Sequence, residues 1–346
     1  MPSQPFSRRD FLKLSAMAAL SIALPAKRAQ GAPLPFAVGR VTTSLIYLYQ
    51  QPSFSSERIG KRARDTLLNL LEEIQSASGP AYNPLWYRIS DGFVHSGFIQ
   101  KVDFRPPNTP VSNIPRTGLL AEVTVPYTRT FYRGSGEPWK PLYRLYYEST
   151  HWVKGISEMP DGKPWYRLSD PKNDTEYYVP AADLRPIQPE EYAPIARDVP
   201  AADKRIVVSI ADQTLTAYEG EKVVMHTSIA SGTPTLEPKE GEIPTDTPLG
   251  YFRITLKMPS RHMGNGAVTD EIEAYELPGV PWTLAFHETG AALHGTFWHN
   301  NFGRKMSHGC VNMRNAEALW LFRWTDPVYE PTDWYGKGLG TLIQVK

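Results

Sequence analysis

Along most of the chain, apolar and polar residues alternate in short runs, and Gly, Pro, Asn or Asp breaks each run. A period of two places successive side chains on opposite faces, which is the pattern of half-buried β-strands. It is clearest late in the chain. Arg205–Ile210, Leu215–Tyr218 and Lys222–Met225 read as strands, with Glu219-Gly220 as the hairpin turn between the last two. Arg253–Leu256 reads as a further strand. Two segments depart from the alternation. In Ala63–Ile74, Leu67, Leu68, Leu71 and Ile74 fall on one stripe and predict a helix. Asn315–Trp324 predicts another, with Leu319, Phe322, Trp320 and Trp324 available for packing. The expected fold is therefore mainly β, built from many short strands.

The middle of the chain is duplicated. Trp86–Asp91 recurs as Trp165–Asp170, Val41-Thr42 as Val123-Thr124, and Gly97–Ile99 as Tyr177–Val179. Several matches at nearly one offset indicate a tandem repeat of roughly 80 residues. Each copy resembles a bacterial SH3-like domain, which implies two small β-barrels, expected at 38–112 and 118–187. Such domains accompany cell-wall enzymes. Recognition of wall peptide or glycan and a bland spacer role both stay open. Arg185–Pro200, with Pro186, Pro189, Pro194 and Pro200, reads as an extended Pro-rich linker, assigned to 188–202.

Composition narrows the class. The chain is 41% hydrophobic and 21% charged, enough for a sizeable core. Its formal net charge of +1 gives no support to a nucleic-acid partner. A single cysteine excludes an internal disulfide and a metal site built on several thiolates. At the N-terminus, Ser7–Lys13 with its Arg8-Arg9 pair precedes the apolar run Leu14–Leu24. This layout resembles a twin-arginine export signal and implies a signal peptide over 1–32. The apolar run is short for a permanent span, so no permanent transmembrane segment is expected. An uncleaved signal would leave an N-terminal anchor. The implied location is the cell envelope.

Nucleophilic acyl transfer needs a thiolate, a base to form it and donors for an oxyanion. Cys310 supplies the sulfur, although a lone cysteine is by default a small buried hydrophobe. His294 and His308 are the candidate bases, and Gly309 allows close backbone approach. Ser307–Cys310, with His294-Gly295 upstream and Thr247–Phe252 earlier in the right order, resembles the L,D-transpeptidase family, named for its YkuD-type catalytic domain. The resemblance covers 203–346. It implies a β-rich, sandwich-like domain with a short helix, no cofactor and no metal.

What else the resemblance implies concerns chemistry. The partner is a peptidoglycan stem peptide. Cys310 attacks the carbonyl of its third residue and expels terminal D-Ala, and an acceptor amine resolves the thioester into a 3→3 crosslink. His294 is the general base, oriented by the Gly295 carbonyl and expected to hold Cys310 as a thiolate. Ser307, His308 and Gly309 line the pocket, with main-chain N–H groups as the oxyanion hole. Arg314, Asn312, Tyr251 and His262 are candidate substrate contacts, Arg314 for a carboxylate. Carbapenem β-lactams are the expected inhibitors.

Rival readings remain. Water could resolve the same thioester, making an L,D-carboxypeptidase, or the chain could bind wall without catalysis. His294, His308, Cys310 and His299 could ligate zinc, but their spacing matches no common structural zinc pattern. Phe297, Trp298 and Tyr275 could face substrate or pack in the core. His262, in the Gly-rich stretch Ser260–Gly264, could belong to a lid or be an exposed bystander.

Overall fold

The structure, a computed structural model, describes residues 37–103, 105–170, 172–235 and 244–346. The predicted export signal, 1–32, lies outside the described residues. Phe36–Lys346 form one compact unit. No helix among the described residues is long and apolar enough to cross a membrane.

The fold is mainly β. In the first duplicated segment, a three-stranded sheet of Leu67–Leu70, Ala37–Val41 and Ile99–Val102 accompanies a five-stranded sheet. The latter runs Arg58–Ala63, Leu45–Tyr49, Gly92–His95, Leu85–Ile89, Glu72–Gln75. The second segment forms one seven-stranded sheet from Leu119 to Pro186. Both segments run through the same closing order. A hairpin begins at the repeated Trp-Tyr strand, a 3₁₀ turn follows (Ser96–Phe98 or Ala181–Asp183), and a last strand returns to pair with the segment's first. The repeated tyrosines, Tyr87 and Tyr166, are buried in the cores of their own segments.

Two sequence expectations fail here. Ala63–Ile74 is not helical: Asp65 takes a left-handed conformation (φ 62°), and Leu67–Leu70 and Glu72–Gln75 are strands. Leu68 and Leu70 are buried while Leu71 is exposed, so the working period is two. Pairing with Ala37–Val41 and Leu85–Ile89 satisfies the backbone that a helix would have satisfied internally. The Pro-rich segment is also not a free extended linker. Leu184–Pro186 is a sheet strand, and a capping box of Gln188 and Glu191 starts the short helix Pro189–Tyr192. Ile187 and Tyr192 insert into the core of the segment that follows.

That last segment packs two five-stranded sheets over a common core. One runs Lys222–Ser228, Thr214–Glu219, Lys204–Ser209, Leu342–Val345, Gly250–Arg253. The other runs Val311–Met313, Ala292–Gly295, Glu276–Ala285, Leu256–Gly264, Gly336–Lys337. The predicted helix Asn315–Trp324 is present and buries Ala318, Leu321 and Phe322, spaced one helical turn apart. Glu317 in its first turn and Arg323 in its last suit the helix dipole.

Candidate active site

The site is built on two parallel strands. Ala292–Gly295 pairs with Val311–Met313, placing Leu293 opposite Val311 and His294 opposite Asn312. Leu293, Val311 and Met313 face the core. Alternation therefore sends His294 and Asn312 to the other face. Cys310, one step before its strand, falls opposite Ala292 and on the face of Asn312. It is thus a diagonal cross-strand neighbour of His294, a position within side-chain reach.

His294 is buried, and its Nδ1 lies 2.9 Å from the Gly295 carbonyl oxygen. A carbonyl only accepts, so Nδ1 carries the proton and Nε2 keeps its lone pair. Burial pulls the imidazole down to about 4 against the Gly295 hydrogen bond, and the positive charge of Arg261 assists. His294 is therefore a neutral base near pH 7. Gly295 is required sterically: a Cβ there would lie 2.3 Å from Asn315 Oδ1 and 2.9 Å from Pro281 Cγ.

Cys310 is half-buried. Burial pushes its thiol up, while a main-chain hydrogen bond from Ala292 and the charge of Arg261 pull it down. A resting thiolate paired with imidazolium, the expectation from sequence, is not what this setting supports. The structure favours a thiol beside a neutral imidazole, because burial penalises both charges.

The segment before Cys310 is held by main-chain bonds. Met306 and Ser307 N–H both donate to the Ser231 carbonyl, at 2.9 and 3.0 Å, and Thr233 N–H donates to the Ser307 carbonyl at 2.9 Å. Ser307 Oγ donates to the Cys310 carbonyl. Gly309 has φ 101°, a left-handed conformation that a side chain would strain. Among the described residues, the N–H groups of His308, Gly309 and Cys310 have no main-chain acceptor. His308 is exposed, its ring 5.4 Å from that of Tyr275. Phe297 is buried, whereas Tyr275 is exposed with its ring against His308, so Tyr275 faces the segment that carries Cys310.

Residues 203–345 match the family model of the L,D-transpeptidase catalytic domain, YkuD. This segment is similar to the YkuD-type L,D-transpeptidase catalytic domain. A Bacillus licheniformis protein named as an L,D-transpeptidase, YkuD, is 29% identical over 120 residues, covering 34% of this chain and 57% of that protein. The chain thus spans little more than half of that relative's length. The crystal structure of a cysteine-to-serine mutant of Enterococcus faecium L,D-transpeptidase is 26% identical, with TM-score 0.31, over 42% of this chain and 50% of that one. The ertapenem-acylated catalytic domain from E. faecium is 25% identical, with TM-score 0.28, over 42% of this chain and 97% of that one.

Three residues read from the sequence as candidate substrate contacts lie apart from the His294–Cys310 strands or are engaged by other side chains. His262 is buried, its Nδ1 bonded to Asp170 and its Nε2 2.8 Å from Glu276 Oε2. Both ring nitrogens are engaged, Nδ1 with the second duplicated segment and Nε2 within its own domain, so His262 is neither a free lid residue nor an exposed one. Tyr251 lies exposed on the edge strand of the other sheet, its hydroxyl accepting from Gln344 at 2.9 Å. Arg314 precedes the helix, 3.3 Å from both Thr227 Oγ1 and Glu317 Oε1, with its guanidinium over Phe302. Asn312 is buried on the face of His294, its amide 2.9 Å from His299 Nε2. Among the described residues, no group of three or more His, Cys, Asp or Glu side chains converges as for a metal.

Two residues without an assigned catalytic role in the sequence reading stand at the site. His299 buttresses Asn312 and is neutral, pulled down to about 3 by burial. Arg261 acts electrostatically on both His294 and Cys310. No local signal marks Arg261, since an arginine in a polar strand ordinarily reads as a surface charge. Only the sheet order brings it near.

Proposed function

We propose that the domain catalyses peptidoglycan L,D-transpeptidation through a Cys310 thioester. The observation that carries this reading is the tautomer of His294: Gly295 holds Nδ1–H, and Nε2 faces the side of the sheet that bears Cys310. As Sγ attacks the carbonyl of the third stem residue, His294 Nε2 takes the thiol proton. The free N–H groups around Gly309 receive the oxyanion. Collapse breaks the peptide bond, and the departing D-Ala amine takes the proton from His294. An acceptor amine then attacks the thioester, loses a proton to His294 and releases Cys310, leaving a 3→3 crosslink. Water in place of the amine gives the carboxypeptidase outcome. Export by the twin-arginine route would place the enzyme beside its wall substrate, and carbapenem carbonyls would acylate the same sulfur.

The test is mass spectrometry of muropeptides after incubation of disaccharide-tetrapeptides with the full chain. Crosslinked dimers lacking one D-Ala each support transpeptidation, and tripeptides alone indicate hydrolysis. An unchanged profile, with the protein still sedimenting with sacculi, would leave only the wall-binding reading.

A further inference from the structure

The Arg261 side chain makes no hydrogen bond or ion pair to any described residue, and its Nη1 is buried. This contrasts with Arg314, which is occupied by Thr227, Glu317 and Phe302. A half-buried guanidinium without a partner is unfavourable, because its lost hydration is not replaced. Such a group is explained if its partner arrives with a ligand.

The position of Arg261 says which ligand. Its Nη2 lies 3.6 Å from where a Cβ on Gly290 would be. Gly290 closes the turn that leads into Ala292, with its N–H bonded to the His287 carbonyl at 3.0 Å. Ala292 stands opposite Cys310 in the parallel register. The guanidinium therefore lies against the turn that leads into the strand beside Cys310, in the same sheet. The Leu256–Gly264 strand that carries it continues into the loop returning at Tyr275, which faces the segment that carries Cys310. The effect of its charge on Cys310 and His294 agrees with this placement.

We propose that Arg261 is a specificity-determining residue that binds a carboxylate of the acyl donor. The inference rests on the acyl-transfer reading above. A guanidinium and a carboxylate pair through two parallel hydrogen bonds, which fixes orientation as well as adding affinity. A stem tetrapeptide offers two carboxylates near its scissile bond: the C-terminal carboxylate of the leaving residue and a side-chain carboxylate on the third residue.

The test compares the full chain with Arg261→Met and Arg261→Lys on three tetrapeptide donors: the free acid, its C-terminal amide, and the amide of the third-residue side chain. Arg261→Met should raise KM for the free acid at least tenfold, with a smaller change in kcat. It should match the parent on the one amide that lacks the recognised carboxylate, and which amide this is identifies the source. Arg261→Lys should recover part of the loss. Because the Arg261 side chain bonds no other described residue, neither variant should lower the melting temperature. Equal losses on all three donors, or no loss on the free acid, overturn the proposal. The same comparison as peptide affinity, made by calorimetry in a Cys310→Ala background, needs no turnover. A carboxylate-dependent affinity difference there upholds the proposal even if the crosslinking reaction were misassigned, and its absence overturns it even if crosslinking is found.

Discussion

Replacing Asp65 by Asn should unfasten the junction between the two duplicated segments and the YkuD-like segment. Asp65 Oδ1 accepts from Arg40 Nη1 at 2.9 Å, and Oδ2 accepts from Arg144. The Arg40 and Asp65 side chains are only 2% and 5% exposed. Arg40 also donates to the Phe297 carbonyl at 3.2 Å, just downstream of His294. Asn keeps the shape and tolerates the left-handed backbone of this position. It removes the charge and leaves Arg40 buried with only neutral acceptors. Stranding one member of a buried ion pair costs about 3–5 kcal/mol. The control is Glu72→Gln, which breaks the half-exposed Arg88–Glu72 pair, worth about 0–1 kcal/mol. Urea unfolding of the two variants, compared at constant slope, reads the difference directly. A loss in Asp65→Asn no larger than in Glu72→Gln would refute the reasoning.

Two further outcomes follow from the same structure. Iodoacetamide alkylation of Cys310 should show a midpoint at or above the ordinary thiol value of about 8.5, because burial pushes the thiol up. His294→Ala should scarcely move that midpoint yet cut turnover by about 10²–10⁴-fold, and a parent midpoint below pH 7 would restore the thiolate–imidazolium pair. Burial pulls His151, His294 and His299 down to about 3, 4 and 3. The unfolded chain thus binds more protons as pH falls below about 6.5, so stability should drop progressively from there towards pH 4. Denaturant midpoints that stay level between pH 7 and 5 would contradict the neutral, buried state of these rings.

What the sequence disclosed depended on how local the cause was. The helix Asn315–Trp324 and the hairpin around Gly220 lie where local spacing and turn chemistry predict them, because both are closed by neighbours in sequence. Cys310 and two candidate bases, His294 and His308, could be singled out because a lone thiol and histidines beside glycines are chemically conspicuous, and only the family resemblance chose His294. The strands over Leu67–Gln75 were hidden, since a short apolar run fits a helix or a strand and only distant partners decide. The true setting of His262 depends on Asp170, which belongs to another segment. The raised thiol of Cys310 could not be read either, because burial is a property of the assembled site.

The central claim is that Cys310 carries the acyl group, and intact-protein mass spectrometry of the full chain with a stem tetrapeptide donor and no acceptor tests it most directly. The expected spectrum shows one adduct per chain, with the mass of the donor less its terminal D-Ala, mapped by proteolysis to Cys310 and absent from Cys310→Ala. Crosslinked product without any adduct on Cys310, or an adduct that persists in Cys310→Ala, would contradict it.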